Sequence, residues 1–403
     1  MVPLSPPPEG IRRGTPAYTR ANIALFLAGC ATFSLLYSVQ PLLPEFAREF
    51  RVGPGVASLA LSFTTGALAL SIFVAGAVGQ ALPRRWLMLG SMLLASLLQL
   101  VAGVAPDWPL LLGARLAEGF ALGGVPAVAM AYLAEEMHPD DLGKAMGLYV
   151  SGTAFGGMMG RVGMGVLTEF GSWRIAMEAM GGFGLVAATG FGLLLPSSRR
   201  FVPQRGLDLG HHLAAWRGLL RQTALLRLFG VGFVLTSVFV ALFNYAGFRL
   251  SAPPYSLGQS AISLIFLTYI SGMFSSTAAG HLADHYGRRL PLAGGLGVMA
   301  LGVVVTLAQP VWLVILGIAL VTVGYFIAHS VASGWVGRLS GAAKGQAAAL
   351  YLLFYYTGSS ITGSLGGWFW QGWGWPGVVA LTGGLALAGM IMALTMPGGG
   401  RRA

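Results

Sequence analysis

The sequence predicts an all-α polytopic membrane protein with twelve transmembrane helices in two pseudo-symmetric six-helix bundles, and three observations carry that expectation. Charged residues make up 9% of the 403, whereas a soluble chain needs roughly 25% to face water. Apolar residues reach 55% and fall into continuous runs of the length a helix needs to cross hydrocarbon, about 20 residues; a β-barrel would alternate apolar and polar positions instead. The second half of the chain repeats motifs of the first at an offset near 204. These features exclude a soluble enzyme, a nucleic-acid binder and a disordered chain.

After a tail over 1–20, apolar windows lie near 21–43, 56–80, 86–105, 109–135, 144–168 and 174–195, giving a first bundle over 21–195. A basic, Pro-bearing connector covers 196–224. Windows near 225–248, 257–282, 290–308, 311–337, 345–371 and 376–396 then form a second bundle over 225–396, ahead of a tail at 397–403. The first window contains Leu27-Ala28-Gly29-Cys30 behind Arg12, Arg13 and Arg20, which looks like a lipoprotein cleavage box. A signal segment has a short apolar core, but this run continues through Val39, so a full span is expected, with Cys30 a small core residue. Because Cys30 is the single cysteine, no disulfide can form within the chain. Most other loops are very short, which makes successive helices antiparallel neighbours.

Lys and Arg set the orientation, because they concentrate in cytoplasmic loops. Arg48, Arg51, Arg174 and Arg249 fall on one side, Arg115 and Arg161 fall inside spans, and every other Lys and Arg lies on the side of the termini and the connector. Both termini are therefore expected in the cytoplasm. The same placement accounts for the net charge of +11 without a nucleic-acid partner, since the basic residues sit in short clusters between apolar runs rather than interleaved with aromatics.

The repeat is specific. Gly76–Arg85 (GAVGQALPRR) lies over Gly280–Arg289 (GHLADHYGRR), Leu148-Tyr149 over Leu350-Tyr351, Gly156 over Gly358, Gly165 over Gly367, Trp173 over Trp375 and Gln40 over Asn244. Two similar bundles with a cleft between them are the general architecture of transporters that rock about a central site. On these residues the chain resembles the major facilitator superfamily over its whole length. Gly280-His281-Leu282-Ala283-Asp284-His285-Tyr286-Gly287-Arg288-Arg289 matches the loop signature GxLaDrxGRR, and Arg115-Leu116-Ala117-Glu118-Gly119 looks like the fourth-span motif RxxqG. Gly152-Thr153-Ala154-Phe155-Gly156-Gly157-Met158-Met159-Gly160 is similar to the fifth-span motif GxxxGPxxG of twelve-span drug–proton antiporters. There are departures: Gln80 and Pro83 replace the acidic residue and glycine of the first-half signature, Gly157 stands where proline is usual, and Arg161 follows Gly160. The resemblance implies gating by Gly280, Asp284, Gly287, Arg288 and Arg289, with Asp284 bearing the larger share because Gln80 carries no charge.

Intramembrane charges are costly and usually mark pathways. Arg115 on span four and Arg161 on span five lie at comparable depth, with Glu118 on the same face as Arg115 and about a turn away, so one polar cluster is expected, either as a coupling site or as a structural ion pair. Glu118 is the candidate proton-sensitive carboxylate. His329 in span ten either relays protons or bonds a neighbouring helix. Gln40 and Asn244 hold equivalent places in the two halves and either touch substrate or bond between helices, and Tyr37, Tyr245 and Tyr355 are further cleft candidates. Gly152, Gly156 and Gly160 make a ridge of small residues, as do Thr268, Gly272, Ser276 and Gly280 in span eight. Such ridges let helix backbones pack closely; by the resemblance, spans five and eight meet across the bundles, so the ridges and Gly157 are expected to act as a sliding hinge, with static packing as the alternative.

Neither HExxH nor GxxxxGK[ST] occurs, and Lys144 and Lys344 sit at loop ends, which argues against a metalloprotease, a nucleotide-driven pump and a retinal receptor. No cofactor or metal is expected. The expected function is secondary transport of a small organic molecule by alternating access in a monomer surrounded by membrane lipid, with proton-coupled efflux ahead of uptake or exchange of an organic anion; a ligand sensor on the same fold is the alternative from another class.

Overall fold

The computed structural model describes residues 10–78, 82–198, 200–201 and 209–396. Gln80, Arg199, Arg205, Arg401 and Arg402 lie outside the described residues, as does the side chain of Asp284.

The chain is helical almost throughout. Span one is Pro16–Tyr37, span two Leu59–Val78, span three Arg84–Gly103, and span four Trp108–Leu122 continued by Gly124–Glu136. Span five is Pro139–Phe170 and span six Trp173–Leu194. In the second half, span seven is Thr223–Ser251, span eight Gln259–Ser263 continued by Leu264–Thr268 and Tyr269–Tyr286, span nine Arg289–Val305 and span ten Val311–Leu339. Spans eleven and twelve form one continuous stretch, Lys344–Leu394, divided at Gly374 where φ is 61°. Only glycine takes that conformation without strain, and Pro376 starts the chain on its return.

Local chemistry fixes the helix starts. Thr15, Asp107 and Ser172 accept hydrogen bonds from the backbone N–H of Tyr18, Leu110 and Ile175, at 3.2, 2.9 and 3.3 Å. Each satisfies a donor that the first helical turn would otherwise leave open. Pro139 begins span five, with Asp140 and Asp141 in the first turn, where negative charge suits the helix dipole.

Nine helical stretches among the described residues are long and apolar enough to cross a membrane. The difference from twelve windows has three causes. Lys344–Leu394 counts once although it turns at Gly374, Arg289–Val305 is a shorter apolar helix, and Pro139–Phe170 is diluted by its glycines and by Arg161. The connector contains a helix of its own, Leu209–Leu220.

Packing repeats between the halves. Span one lies against span five as span seven lies against span eleven, and two against four as eight against ten. Ser34 Oγ donates to the carbonyl of Gly156 at 2.9 Å, and Ser237 Oγ donates to that of Gly358 at 3.2 Å. The repeat detected in the sequence is thus a repeat of contacts.

The glycine ridges have partners other than those the sequence implies. A Cβ at Gly152 would lie 2.7 Å from the carbonyl oxygen of Phe26, one at Gly160 would lie 2.6 Å from Ser34 Cα, and one at Gly156 would overlap the backbone of Cys30. The ridge of span five is therefore buried against span one of its own half. In span eight, Gly272 faces the ring of Phe326 on span ten, and Thr268 bonds Thr322 there at 3.3 Å. Small residues gather where backbones cross most closely, and here those crossings lie inside each half. Spans five and eight do approach, but beyond the ridge, where Gly165 faces Ser263 and Glu169 accepts from the N–H of Ser260 at 2.7 Å.

The bonds that join the two halves gather toward the side opposite the termini. Ser360 Oγ donates to the carbonyl of Ser62 at 2.7 Å, Ser364 Oγ donates to Ser62 Oγ at 2.8 Å, and Gln259 bonds the carbonyl of Pro41. On the terminus-bearing side the first half bonds to itself. Ile11 N–H donates to Glu136 O at 2.7 Å, Arg84 pairs with Glu135 at 2.8 Å, and Arg200 N–H donates to Glu136 Oε1 at 2.9 Å.

Candidate substrate site

Arg161 sits at the seam between the halves, 1% exposed. Its Nε donates to Gln40 Oε1 at 2.6 Å and its Nη1 donates to the carbonyl of Gly157, one turn earlier, at 2.5 Å. Gln40 Nε2 in turn donates to Asn244 Oδ1 at 2.8 Å. The two amides that the repeat sets in equivalent places therefore meet across the seam, and Asn244 Nδ2 is left buried without a partner among the described residues. The guanidinium lies 3.9 Å from the ring centre of Tyr37 and 5.1 Å from those of Phe266 and Tyr269, which belong to the second half. Rings stabilise a desolvated cation by about 2 kcal/mol in favourable cases, well short of a counter-charge. Among the described residues no carboxylate lies within ion-pair distance of Arg161.

Arg115 and Glu118 form a separate cluster, which corrects the expectation of one shared site. Arg115 Nη1 donates to Glu118 Oε2 at 2.6 Å and to Gln99 Oε1 at 2.9 Å. Its Nη2 donates to the carbonyl of Leu36 at 2.9 Å and its Nε to that of Ala60 at 3.2 Å. Both side chains are fully buried, and the bonds tie spans one, two, three and four together. Arg115 and Arg161 share a depth but not a direction: the first points into the middle of its bundle, the second to the seam. Sequence spacing gives depth along a helix, not which neighbour the helix turns that residue toward.

In the second half, His329 Nδ1 lies 3.0 Å from Tyr351 Oη, and its ring stacks on Tyr325 with centroids 5.6 Å apart. Tyr325 and Tyr355 share a hydrogen bond between hydroxyls, so His329 belongs to a belt of phenols. Tyr245 donates to the carbonyl of Gly363 at 2.8 Å and reaches Ser58 at 3.5 Å, placing it at the bonded part of the seam. Phe266, Tyr269 and Tyr325 go unnoticed in the sequence, because an aromatic in an apolar span carries no mark of the face it occupies. At the end of the loop signature, Gly287 closes span eight with φ 75°, Arg288 and Arg289 lead into span nine, and among the described residues nothing lies within 4 Å of a Cβ at Gly280.

Comparison with known proteins agrees with this architecture. The family model described as Major Facilitator Superfamily matches residues 25–276 and 255–400. The uncharacterized MFS-type transporter YybF of Bacillus subtilis (strain 168) is 46% identical over 371 residues, covering 92% of each chain. The inner membrane transport protein YnfM of Escherichia coli (strain K12) is 42% identical over 377 residues, covering 94% of this chain and 90% of that one. Among solved structures, a point mutant of the nucleoside transporter NupG superposes with a TM-score of 0.78 at 14% identity, covering 94% of this chain and 99% of that one, which is a likeness of fold. With two repeated halves bonded across one side, a family model matching from end to end and transporter relatives above 40% identity, this multi-pass membrane transporter belongs to the Major Facilitator Superfamily.

Proposed function

We propose that the chain carries a small organic anion across the bacterial inner membrane by alternating access, with Arg161 as the group that binds it. The observation that carries this reading is a buried guanidinium at the seam with no carboxylate beside it among the described residues. A cation in low dielectric is costly without a counter-charge, and a substrate carboxylate would supply one during each cycle. The distribution of Lys and Arg supports cytoplasmic termini. On that orientation the side where the described bonds join the halves is periplasmic, which supports an inward-facing reading. Proton-coupled export is the second reading, favoured by the likeness of Gly152–Gly160 to the antiporter motif.

Alternating access requires the bonded seam to part. A Cβ at Gly66 would lie 3.5 Å from Ser360 Cβ, within disulfide range of about 3.5–4.5 Å. In a Cys30→Ala background, Gly66→Cys with Ser360→Cys is expected to cross-link on oxidation, stop flux into proteoliposomes and regain it on reduction. Imposing a pH gradient of either sign on the reduced protein reads direction and coupling together. Undiminished flux from the fully cross-linked protein would end the alternating-access reading. Ligand binding with no flux in either redox state would turn it into a sensor.

A further inference from the structure

The substrate class can be narrowed if the proposed role of Arg161 holds, and the following rests on that reading. We infer that the site takes a monoanion with a flat apolar body, an aromatic carboxylate in chemical terms. Three observations support a single negative charge on a ring.

The first is the geometry of the free donor edge. Arg161 spends Nε on Gln40 and one bond of Nη1 on Gly157, while Nη2 makes no hydrogen bond to any described residue. A planar carboxylate fits the fork of Nη1 and Nη2. The second is the charge count at the seam. Arg115 is neutralised by Glu118 inside its own bundle, and His329 is engaged with Tyr351. A second carboxylate on the substrate would meet rings and no cation, and burying it would cost several kcal/mol.

The third is the character of the wall. From Arg161 the second half continues as ring on ring: Phe266 and Tyr269, then Tyr269 against Phe326 at 5.8 Å, and Tyr325 against Phe326 at 5.3 Å. Farther along this wall the hydroxyls bond one another or His329, Tyr325 to Tyr355 and Tyr351 to His329, which leaves the Tyr37 and Tyr269 hydroxyls and Asn244 Nδ2 as the few polar groups open to a ligand among the described residues. A sugar acid carries more hydroxyls than those few groups can satisfy, and unpaired polar groups are expensive. An aromatic body gains edge-to-face contacts at centroid separations of about 4.5–7 Å. An organic cation is turned away by Arg161 itself.

The test uses the purified full-length protein in detergent, with thermal-shift and calorimetric titration of trans-cinnamate, trans-cinnamamide, gluconate, phthalate and benzyltrimethylammonium. Cinnamate is expected to bind about tenfold or more tightly than its amide, equivalent to roughly 1.4 kcal/mol, and the other three are expected to bind still more weakly. Arg161→Gln is expected to erase the difference between acid and amide, and Arg161→Lys to keep part of it because the charge remains while the fork is lost. Equal affinity for acid and amide in the natural protein overturns the assignment, whatever the variants do. So does unchanged cinnamate affinity in Arg161→Gln, or preference for phthalate or gluconate. If no probe binds while the Gly66–Ser360 lock still governs flux of another solute, the substrate class falls and the carrier reading stands.

Discussion

Arg115→Met is expected to cost the first bundle its fold. The substitution removes five hydrogen bonds at once and leaves Glu118 buried without its cation. Breaking a buried pair in this way costs about 3–5 kcal/mol, a large share of the roughly 5–15 kcal/mol that keeps a domain folded. Size-exclusion profiles and melting temperatures in detergent measure it, and a monodisperse Arg115→Met protein with an unchanged melting temperature would refute the structural role. The double variant Arg115→Met/Glu118→Leu is expected to recover much of the loss, since it removes both charges together. Glu118→Gln keeps shape and an acceptor for Arg115, so folded protein is expected with pH-driven flux retained. Folded protein that still binds substrate but no longer responds to a pH gradient would return the coupling role to Glu118.

Gly156→Leu is the second large effect. The added side chain has nowhere to go except into the backbone of Cys30, and it would break the Ser34–Gly156 bond as the helices part. Overpacking costs about 1–3 kcal/mol where neighbours can yield; backbone does not yield, so a larger loss and an aggregated product are expected. Gly163→Leu is the control, because nothing lies within 4 Å of a Cβ there, and it is expected to fold and transport normally. Folded, ligand-binding Gly156→Leu protein without flux would restore the sliding hinge that the glycine spacing implies.

The fold is legible in the sequence because membrane crossing depends on composition over a window, which a single sequence displays in full. The repeat is legible for the same reason, and it sets Gln40 over Asn244, which bond each other in the structure: residues in equivalent places on two related bundles face each other across the axis between them. Azimuth is not legible. Arg115 and Arg161 have the same depth and opposite surroundings, and Gly152, Gly156 and Gly160 form a ridge whose partner is named by neither spacing nor residue type. The phenols around His329 are invisible for a related reason, because Tyr in an apolar span reads the same whether it packs in a core or lines a seam. Spans five and nine both appear among the sequence windows although the helices themselves are marginal, one diluted by glycines and Arg161 and the other apolar but short.

The bonds that join the two halves have an electrical consequence. Apart from Glu169 at the rim, they run between hydroxyls, amides and backbone carbonyls, each worth only about 0.5–1.5 kcal/mol net against water. Parting them moves no net charge through the membrane field, so the transmembrane voltage, which does about 2.3 kcal/mol of work per elementary charge per 100 mV, has no lever on the seam itself. Its lever is Arg161. On the proposed reading an empty site carries that residue's positive charge and a site holding a monoanion is neutral, so voltage would bias the return of the empty carrier and leave the loaded step alone.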